Sequence, residues 1–143
     1  MEKILTLSFT VILILVSFSF ANAQYLADNG QNDAIAVIKL FFEAQTKGDV
    51  KTIRECLGGD LLKKRLSLLN NPDYSKSLYD MFKDAHFEIL DSKTIGEDRI
   101  QVDVKIYINE YESQHMRYFL KKSATPNSAP RFLIYYQEEI ATK

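Results

Sequence analysis

The spacing of apolar residues changes once along the chain, close to His86. Before that point, apolar side chains recur every three or four positions, which is the spacing of helices that bury one side. After it, apolar and polar residues alternate, most regularly from Ile100 to Ile108, which is typical of strands with one buried face. The pattern therefore predicts helices in the N-terminal half of the chain and strands in the C-terminal half.

Residues that start and stop helices divide the first half. Asn32 is a predicted N-cap, Gly48 stops the helix that follows, and Asp49 caps the next one. Gly58-Gly59 and Pro72 separate two further helical stretches, because paired glycines and proline interrupt helices. The predicted helices cover residues 33–47, 50–57 and 60–70, and a further short helix starts at Asp73 or Ser75 and ends at about Ala85.

Four strands follow, and their connections are short. The predicted strands cover residues 87–93, 100–108, 113–122 and 131–140. A hairpin turn at Gly96-Glu97-Asp98 joins the first two, and a loop with two prolines at 123–130 precedes the last. Helices followed by consecutive antiparallel strands predict an α+β domain, in which the N-terminal helices pack on one face of a four-stranded antiparallel sheet.

The first 23 residues match the pattern of a cleavable secretory signal peptide. Lys3 provides a short basic region, an apolar stretch covers residues 4–20, and Ala21-Asn22-Ala23 has the form of a cleavage site. A membrane span needs about 20 predominantly apolar residues, whereas serine and threonine interrupt this shorter stretch and no basic residue follows it before Lys39. We therefore predict cleavage between Ala23 and Gln24 rather than a permanent membrane anchor.

Cleavage would leave a flexible leader at 24–32 and a single domain at 33–143. We predict an exported, soluble product, periplasmic or secreted, because no cysteine stands at the cleavage site to carry a lipid. Acidic and basic residues nearly balance, with a net charge of −1, which excludes a general nucleic-acid binder. The single cysteine, Cys56, excludes an internal disulfide, and we interpret it as a small buried hydrophobe rather than a catalytic thiol.

The segment from Ala34 to Asp49 reads AIAVIKLFFEAQTKGD. It resembles the first helix of the NTF2-like (cystatin-like) superfamily, which often ends in a Gly-Asp step. With the second helix and the long C-terminal strands, the resemblance covers most of residues 33–140, and it is strongest to small exported bacterial proteins. The resemblance implies a cone of helices wrapped by a curved sheet, with a pocket. It implies no single activity, because this fold hosts isomerases, dehydratases, binding modules, toxin-immunity proteins and transport factors.

The chain lacks the common catalytic motifs. Its two histidines, His86 and His115, fall in none of the spacings that bind zinc. Gly58-Gly59 lacks the further glycines and the lysine of a phosphate-binding loop, and no G-x-S-x-G motif is present. We therefore predict no metal site and no cofactor, and we interpret the run Lys63-Lys64-Arg65 as a solvated helix face.

An acid/base enzyme of the isomerase or lyase type is the alternative function. It would need an ionisable residue inside a cone lined by Phe42, Tyr118 and Tyr136. However, Asp103 and His115 alternate with the apolar positions of their strands, so both are predicted to point away from the core. For this reason no catalytic residue is assigned.

The leading hypothesis is a non-enzymatic domain that binds a protein partner or a small apolar ligand. Tyr107, Phe119 and Tyr135 are predicted to form an aromatic surface on the outer face of the sheet, which would suit a homodimer or another partner. Neutralisation of a toxin is a special case of partner binding. The candidate binding residues are Phe42, Tyr107, His115, Tyr118, Tyr135 and Tyr136.

Overall fold

The computed structural model describes residues 30–123 and 131–141, and the part from Gln31 onward forms one compact unit. The predicted signal peptide, its cleavage site and leader residues 24–29 lie outside the described residues, as do residues 124–130 of the predicted loop. The helices are α1 (residues 30–47), α2 (Val50–Cys56), α3 (Gly59–Leu69) and α4 (Tyr74–Phe82). The strands are β1 (His86–Gly96), β2 (Arg99–Tyr107), β3 (Ser113–Ser123) and β4 (Arg131–Glu139).

Helix α1 begins earlier than the sequence predicted. Residues 30–32 are already helical, so the predicted leader is wrong at these three positions and Asn32 is not the N-cap. Ala34 is fully buried in the core and Gln31 is half-buried. Packing of this part of α1 therefore outweighs the local capping signal, because tertiary contacts supply most of the stability of helices in proteins.

The end of α1 is as predicted. Gly48 adopts a left-handed backbone conformation, with φ of 65°, and the Asp49 N–H donates to the carbonyl oxygen of Ala44 at 2.8 Å, which closes the helix in a Schellman motif. A Cβ atom at Gly48 would collide with the backbone of Ser75. Ser75 Oγ also donates to the Gly48 carbonyl oxygen at 2.7 Å, so this glycine allows α4 to approach the end of α1 closely.

Side-chain hydrogen bonds close the ends of the shorter helices. Asp49 caps α2 as predicted, because its carboxylate accepts the Thr52 N–H at 3.1 Å. Arg54 of α2 donates to the carbonyl oxygen of Leu69 and to the side chain of Asn70, at 3.2 and 2.7 Å. This arginine satisfies the C-terminal end of α3 and fixes α2 against it.

The four strands form one curved antiparallel sheet in the order β1-β2-β3-β4. The predicted α+β class, with N-terminal helices packed on a four-stranded antiparallel sheet, is confirmed. The inner face of the sheet carries the buried side chains of Val102, Val104, Tyr118, Leu120 and Ile134. Phe41 and Phe42 of α1 pack edge-on against Tyr118, with ring centroids 6.1 and 5.8 Å apart. The core therefore lies between α1 and the sheet.

Strand β4 contains a bulge that places Tyr136 on the outer face of the sheet and Gln137 on the inner face. Phe119 pairs with Tyr136, whereas Leu120 pairs with Ile134, so Tyr135 is the extra residue. A one-residue shift moves every following side chain to the opposite face. Tyr136 therefore lies on the outer face, and the prediction that it lines the cone is wrong. Gln137 takes the inner position, opposite Tyr118.

Among the residues that the structure describes, no helix has both the length and the apolar character needed to cross a membrane.

Candidate functional site

A cavity of about 310 Å³ lies between α1, α3 and α4. This volume is at the small end of the range for ligand sites, which is about 300 to 1,000 Å³. Its lining combines apolar side chains with a few polar groups, the usual composition of a small-molecule site. The lining residues are Gln45, Arg65, Leu68, Tyr74, Ser77, Leu78, Met81 and Phe82.

Gln45 contributes a buried amide to the cavity wall. It lies in the last turns of α1, three and four residues after Phe42 and Phe41, and therefore on the helix side that faces the sheet. Its side chain is only 8% exposed, and its Oε1 atom has no hydrogen-bond partner within the described part of the chain. A buried carbonyl oxygen without a partner costs free energy, so a ligand that satisfies this amide would gain affinity.

Arg65 contributes the positive charge of the cavity. Lys63 and Lys64 are exposed, as expected of a solvated face, but Arg65 is half-buried and lines the cavity, so the interpretation of this run as wholly solvated is wrong at Arg65. Its position follows from helical spacing, because Leu61 and Leu69 lie four residues before and after it and pack towards the core. The guanidinium forms no ion pair with any of the described residues.

The rim of the cavity is apolar and the base is closed by the core. Leu68 and Met81 are 43% and 58% exposed, although both are large apolar side chains. Leu78, by contrast, is buried at the base. Exposed apolar groups around a concave site are typical of an entrance for a ligand with an apolar body.

Phe42 and Tyr118, two of the predicted binding residues, lie together in the core beneath this region. Their rings meet edge to face, and Phe42 also stacks on Phe87 with centroids 4.5 Å apart. Burial raises the pKa of the Tyr118 phenol far above its ordinary value, and the positive charge of Arg65 opposes that rise. The two aromatic rings therefore belong to the packed core, and neither lines the cavity between the three helices.

The outer face of the sheet carries a paired polar cluster. Arg117 donates two hydrogen bonds to Asp103, both at 2.8 Å, and its third nitrogen lies 3.7 Å from a carboxylate oxygen of Glu138. Gln101 donates to the same aspartate at 3.2 Å. Asp103 points away from the core as predicted, but Arg117 and Gln101 cover it, so it is only 8% exposed. The hydrogen bonds from Arg117 hold the pKa of the Asp103 carboxyl below its usual range.

Two aromatic pairs flank that cluster on the outer face. Phe119 and Tyr136 contact each other with ring centroids 5.5 Å apart, and Tyr136 is 48% exposed. Tyr107 stacks on His86 at 4.6 Å, and Lys105 lies over the same tyrosine ring. Tyr107 and Phe119 therefore lie on the outer face as predicted, but in two separate pairs, and Tyr136 takes the position that the sequence assigned to Tyr135.

The two remaining predicted binding residues, His115 and Tyr135, lie in different parts of the sheet. His115 lies on the outer face, in register with Lys105, and its Nε2 atom is buried without a hydrogen-bond partner in the described residues. Tyr135, the bulge residue, is half-buried near Gly59 at the start of α3. Neither residue lines the cavity between the helices.

A second cleft, of about 560 Å³, lies where α4 meets the ends of β1 and β2. It is lined partly by the carboxylates of Asp80, Asp84 and Glu110. Across the described ranges, no group of three or more His, Cys, Asp or Glu side chains is placed to bind a metal ion. Cys56 is fully buried, and burial raises the pKa of its thiol, as expected of an unreactive core cysteine.

Comparison with solved structures supports the fold directly. The chain is similar to the crystal structure of an NTF-2 like protein of unknown function from Shewanella oneidensis MR-1, with a TM-score of 0.52 and 15% sequence identity. The match covers 76% of this chain and 96% of the other. The chain has an NTF2-like fold. No protein-family model matches the sequence, and no similar sequence was found among curated proteins.

Within the NTF2-like fold, the polar residues of the helix side are those that sequence reasoning missed. Gln45 and Arg65 both fall three or four positions from buried apolar residues of their own helices, and that spacing was the signal available in the sequence. Gln137 had no such signal, because only the bulge at Tyr135 turns it inward.

Proposed function

We propose that this NTF2-like domain binds a small ligand in the cavity between α1, α3 and α4. The observation that carries the proposal is the lining of this cavity, which combines the exposed apolar side chains of Leu68 and Met81 with buried Gln45, whose Oε1 atom has no partner in the described residues. A ligand with a hydrogen-bond donor and an apolar body would satisfy this atom and cover the exposed Leu68 and Met81.

The lining of the cavity favours binding over acid/base catalysis. General acid/base chemistry needs a group that gains and loses a proton near neutral pH, most often histidine or a carboxylate. None of the eight described residues that line this cavity is His, Asp or Glu. An isomerase or lyase that uses this cavity therefore has less support than a binding protein.

Titration with octan-1-ol tests the proposal, because this probe combines a hydroxyl donor with an apolar chain. We expect saturable shifts of backbone amide NMR signals around the cavity. The variant Ser77→Trp fills the cavity from its rim. It should weaken binding at least about tenfold, which corresponds to the free energy of burying one to two methylene groups. Ser67→Trp places the same side chain on α3 outside the cavity lining and should leave binding unchanged. Equal affinity in both variants would contradict the proposal.

A second candidate function is self-association through the outer face of the sheet. It has the support of the Phe119 and Tyr136 pair, since exposed tyrosines are enriched at interfaces and Tyr136 is half exposed. A symmetric pairing would bring this patch against its own copy. Sedimentation over a range of protein concentrations would detect such a dimer, and a monomer at every concentration would exclude it.

We also propose that the domain acts outside the cytoplasm. The support is the sequence pattern of residues 1–23, with its apolar stretch and Ala21-Asn22-Ala23. Expression of the full chain in a bacterial host, followed by N-terminal sequencing of the exported fraction, should give a product that begins at Gln24. A product that keeps Met1 and stays in the cytoplasm would overturn this proposal.

A further inference from the structure

The charge that lines the cavity between α1, α3 and α4 is positive. Arg65 is its cationic group, and no acidic residue contributes to the lining in the part of the chain that the structure describes. Some charged groups of the helices form pairs on the surface, as with Lys47 and Glu43 or Lys76 and Asp80. Arg65 is different because it is half-buried and forms no such pair with a described residue.

A partly buried cation without an anion favours an anionic partner. The planar guanidinium of arginine presents a fork of N–H donors that matches the two oxygens of a carboxylate. Desolvation by the surrounding apolar side chains strengthens such a contact relative to one made in water. The neighbouring Gln45 amide can donate an N–H to the same carboxylate, and its Oε1 atom still requires a donor from another part of the ligand.

The rest of the lining sets the shape of the ligand. Leu68, Leu78, Met81 and Phe82 present apolar surface, and the volume of about 310 Å³ leaves room for a short chain or a single ring. We infer that the natural ligand is a small amphipathic carboxylate, whose acidic head binds Arg65 and Gln45 and whose apolar body lies against α3 and α4. This inference rests on the proposed function and adds the chemical class of its ligand.

Three probes with the same chain length and different head groups test the inference. Octanoate, octan-1-ol and octylamine are titrated separately into the purified full-length protein at pH 7, with the amide NMR signals around the cavity as the readout. Octanoate should bind about tenfold more tightly than octylamine, the size expected of one charge-assisted hydrogen bond. This comparison uses the wild-type chain and does not depend on the folding of a variant.

The matched variants are Arg65→Gln and Lys64→Gln, which remove the same charge from neighbouring positions. Arg65→Gln should weaken octanoate about tenfold and leave octan-1-ol unchanged. Lys64 is exposed, so Lys64→Gln should change neither affinity. Rising salt should weaken octanoate more than octan-1-ol, because it screens the charged contact.

The outcomes distinguish failure of the carboxylate inference from failure of the proposed function. Equal affinities for octanoate and octan-1-ol, with no effect of Arg65→Gln, would overturn the carboxylate inference and leave ligand binding in the cavity standing. Tighter binding of octylamine would overturn it as well. If none of the three probes shifts the signals of the cavity residues, the proposed function itself fails.

Discussion

Buried polar side chains on the outer face of the sheet and on its helix side differ in whether the chain satisfies their hydrogen bonds. On the outer face, Asp103 is covered and fully hydrogen-bonded by Arg117 and Gln101. On the helix side, Gln45 and Gln137 each bury a carbonyl oxygen that has no partner among the described residues. Buried polar groups that their own chain satisfies stabilise the fold, whereas unsatisfied ones cost stability. The contrast therefore supports a structural role for the outer cluster and the binding role that we propose for the helix side.

His115 is an exception, because it lies on the outer face and has a buried polar atom that the described chain does not satisfy. Its backbone carbonyl accepts the Ile140 N–H at 2.7 Å, but its Nε2 atom is buried without a partner in the described ranges. The imidazole nitrogen lies on the same face as Phe119 and Tyr136. This unsatisfied atom is a second reason to keep the outer face as a candidate for self-association.

The largest expected effect comes from breaking the outer cluster. Arg117→Met leaves the buried Asp103 carboxylate without its two strongest hydrogen bonds, so the free energy of unfolding at pH 7 should fall by about 2 kcal/mol. Lys121→Met, on the same strand, removes only an exposed charge 3.7 Å from Asp98 and should cost less than about 0.5 kcal/mol. Urea unfolding of both variants measures the difference, and equal losses would contradict a structural role for Arg117.

Acid should remove the same stabilisation. Arg117 lowers the pKa of Asp103 in the folded chain, so the pair contributes fully above the ordinary aspartate pKa of about 3.9. The contribution is lost as pH falls through the lower, folded value. Wild-type stability should therefore decrease more steeply than that of Arg117→Met below about pH 4. Parallel pH curves for the two proteins would show that the pair does not titrate as described.

Self-association should depend on Tyr136 and not on its neighbour. If two copies meet through the outer face, Tyr136→Ser should raise the dimer dissociation constant about tenfold, because it removes an exposed aromatic contact. Tyr135→Ser is the matched control, since Tyr135 is the bulge residue and its Cβ atom lies beside Gly59. Sedimentation of the two variants distinguishes them, and a stronger effect of Tyr135→Ser would place the interface at the sheet edge instead.

The sequence predicted the elements of this fold well because their signals are local. Helical spacing, Gly48 as a stop and Asp49 as a cap all act within a few residues. The alternation in β2 likewise identified the face that packs on the core, although Gln101 and Asp103 on the opposite face are buried as well. Element order then followed, since short connections between strands favour an antiparallel sheet.

The predictions that were wrong depend on register between distant segments. Tyr135 and Tyr136 are both aromatic, so either can face outward, and only the pairing of β4 with β3 decides between them. The cover over Asp103 likewise requires Arg117 to lie directly opposite it on the next strand. Alternation within a single strand contains no information about such a partner.

The smallest expected effect tests the central claim, which is that the Gln45 amide serves a ligand and not the fold. The chain offers a matched pair of buried glutamines for this test. Gln45 and Gln101 are 8% and 7% exposed, but Gln101 donates to Asp103, whereas Gln45 Oε1 has no partner within the described residues. Methionine has a similar shape and lacks the amide, so each substitution removes the polar group with little change in volume.

Urea unfolding of Gln45→Met and Gln101→Met, without ligand, is therefore the most direct measurement. We predict that Gln101→Met loses about 1 kcal/mol, because it breaks a buried hydrogen bond, and that Gln45→Met is neutral or slightly stabilised, because it removes an unsatisfied one. A loss of stability in Gln45→Met as large as that in Gln101→Met would mean that the chain itself uses the Gln45 amide, and would contradict its assignment to a ligand.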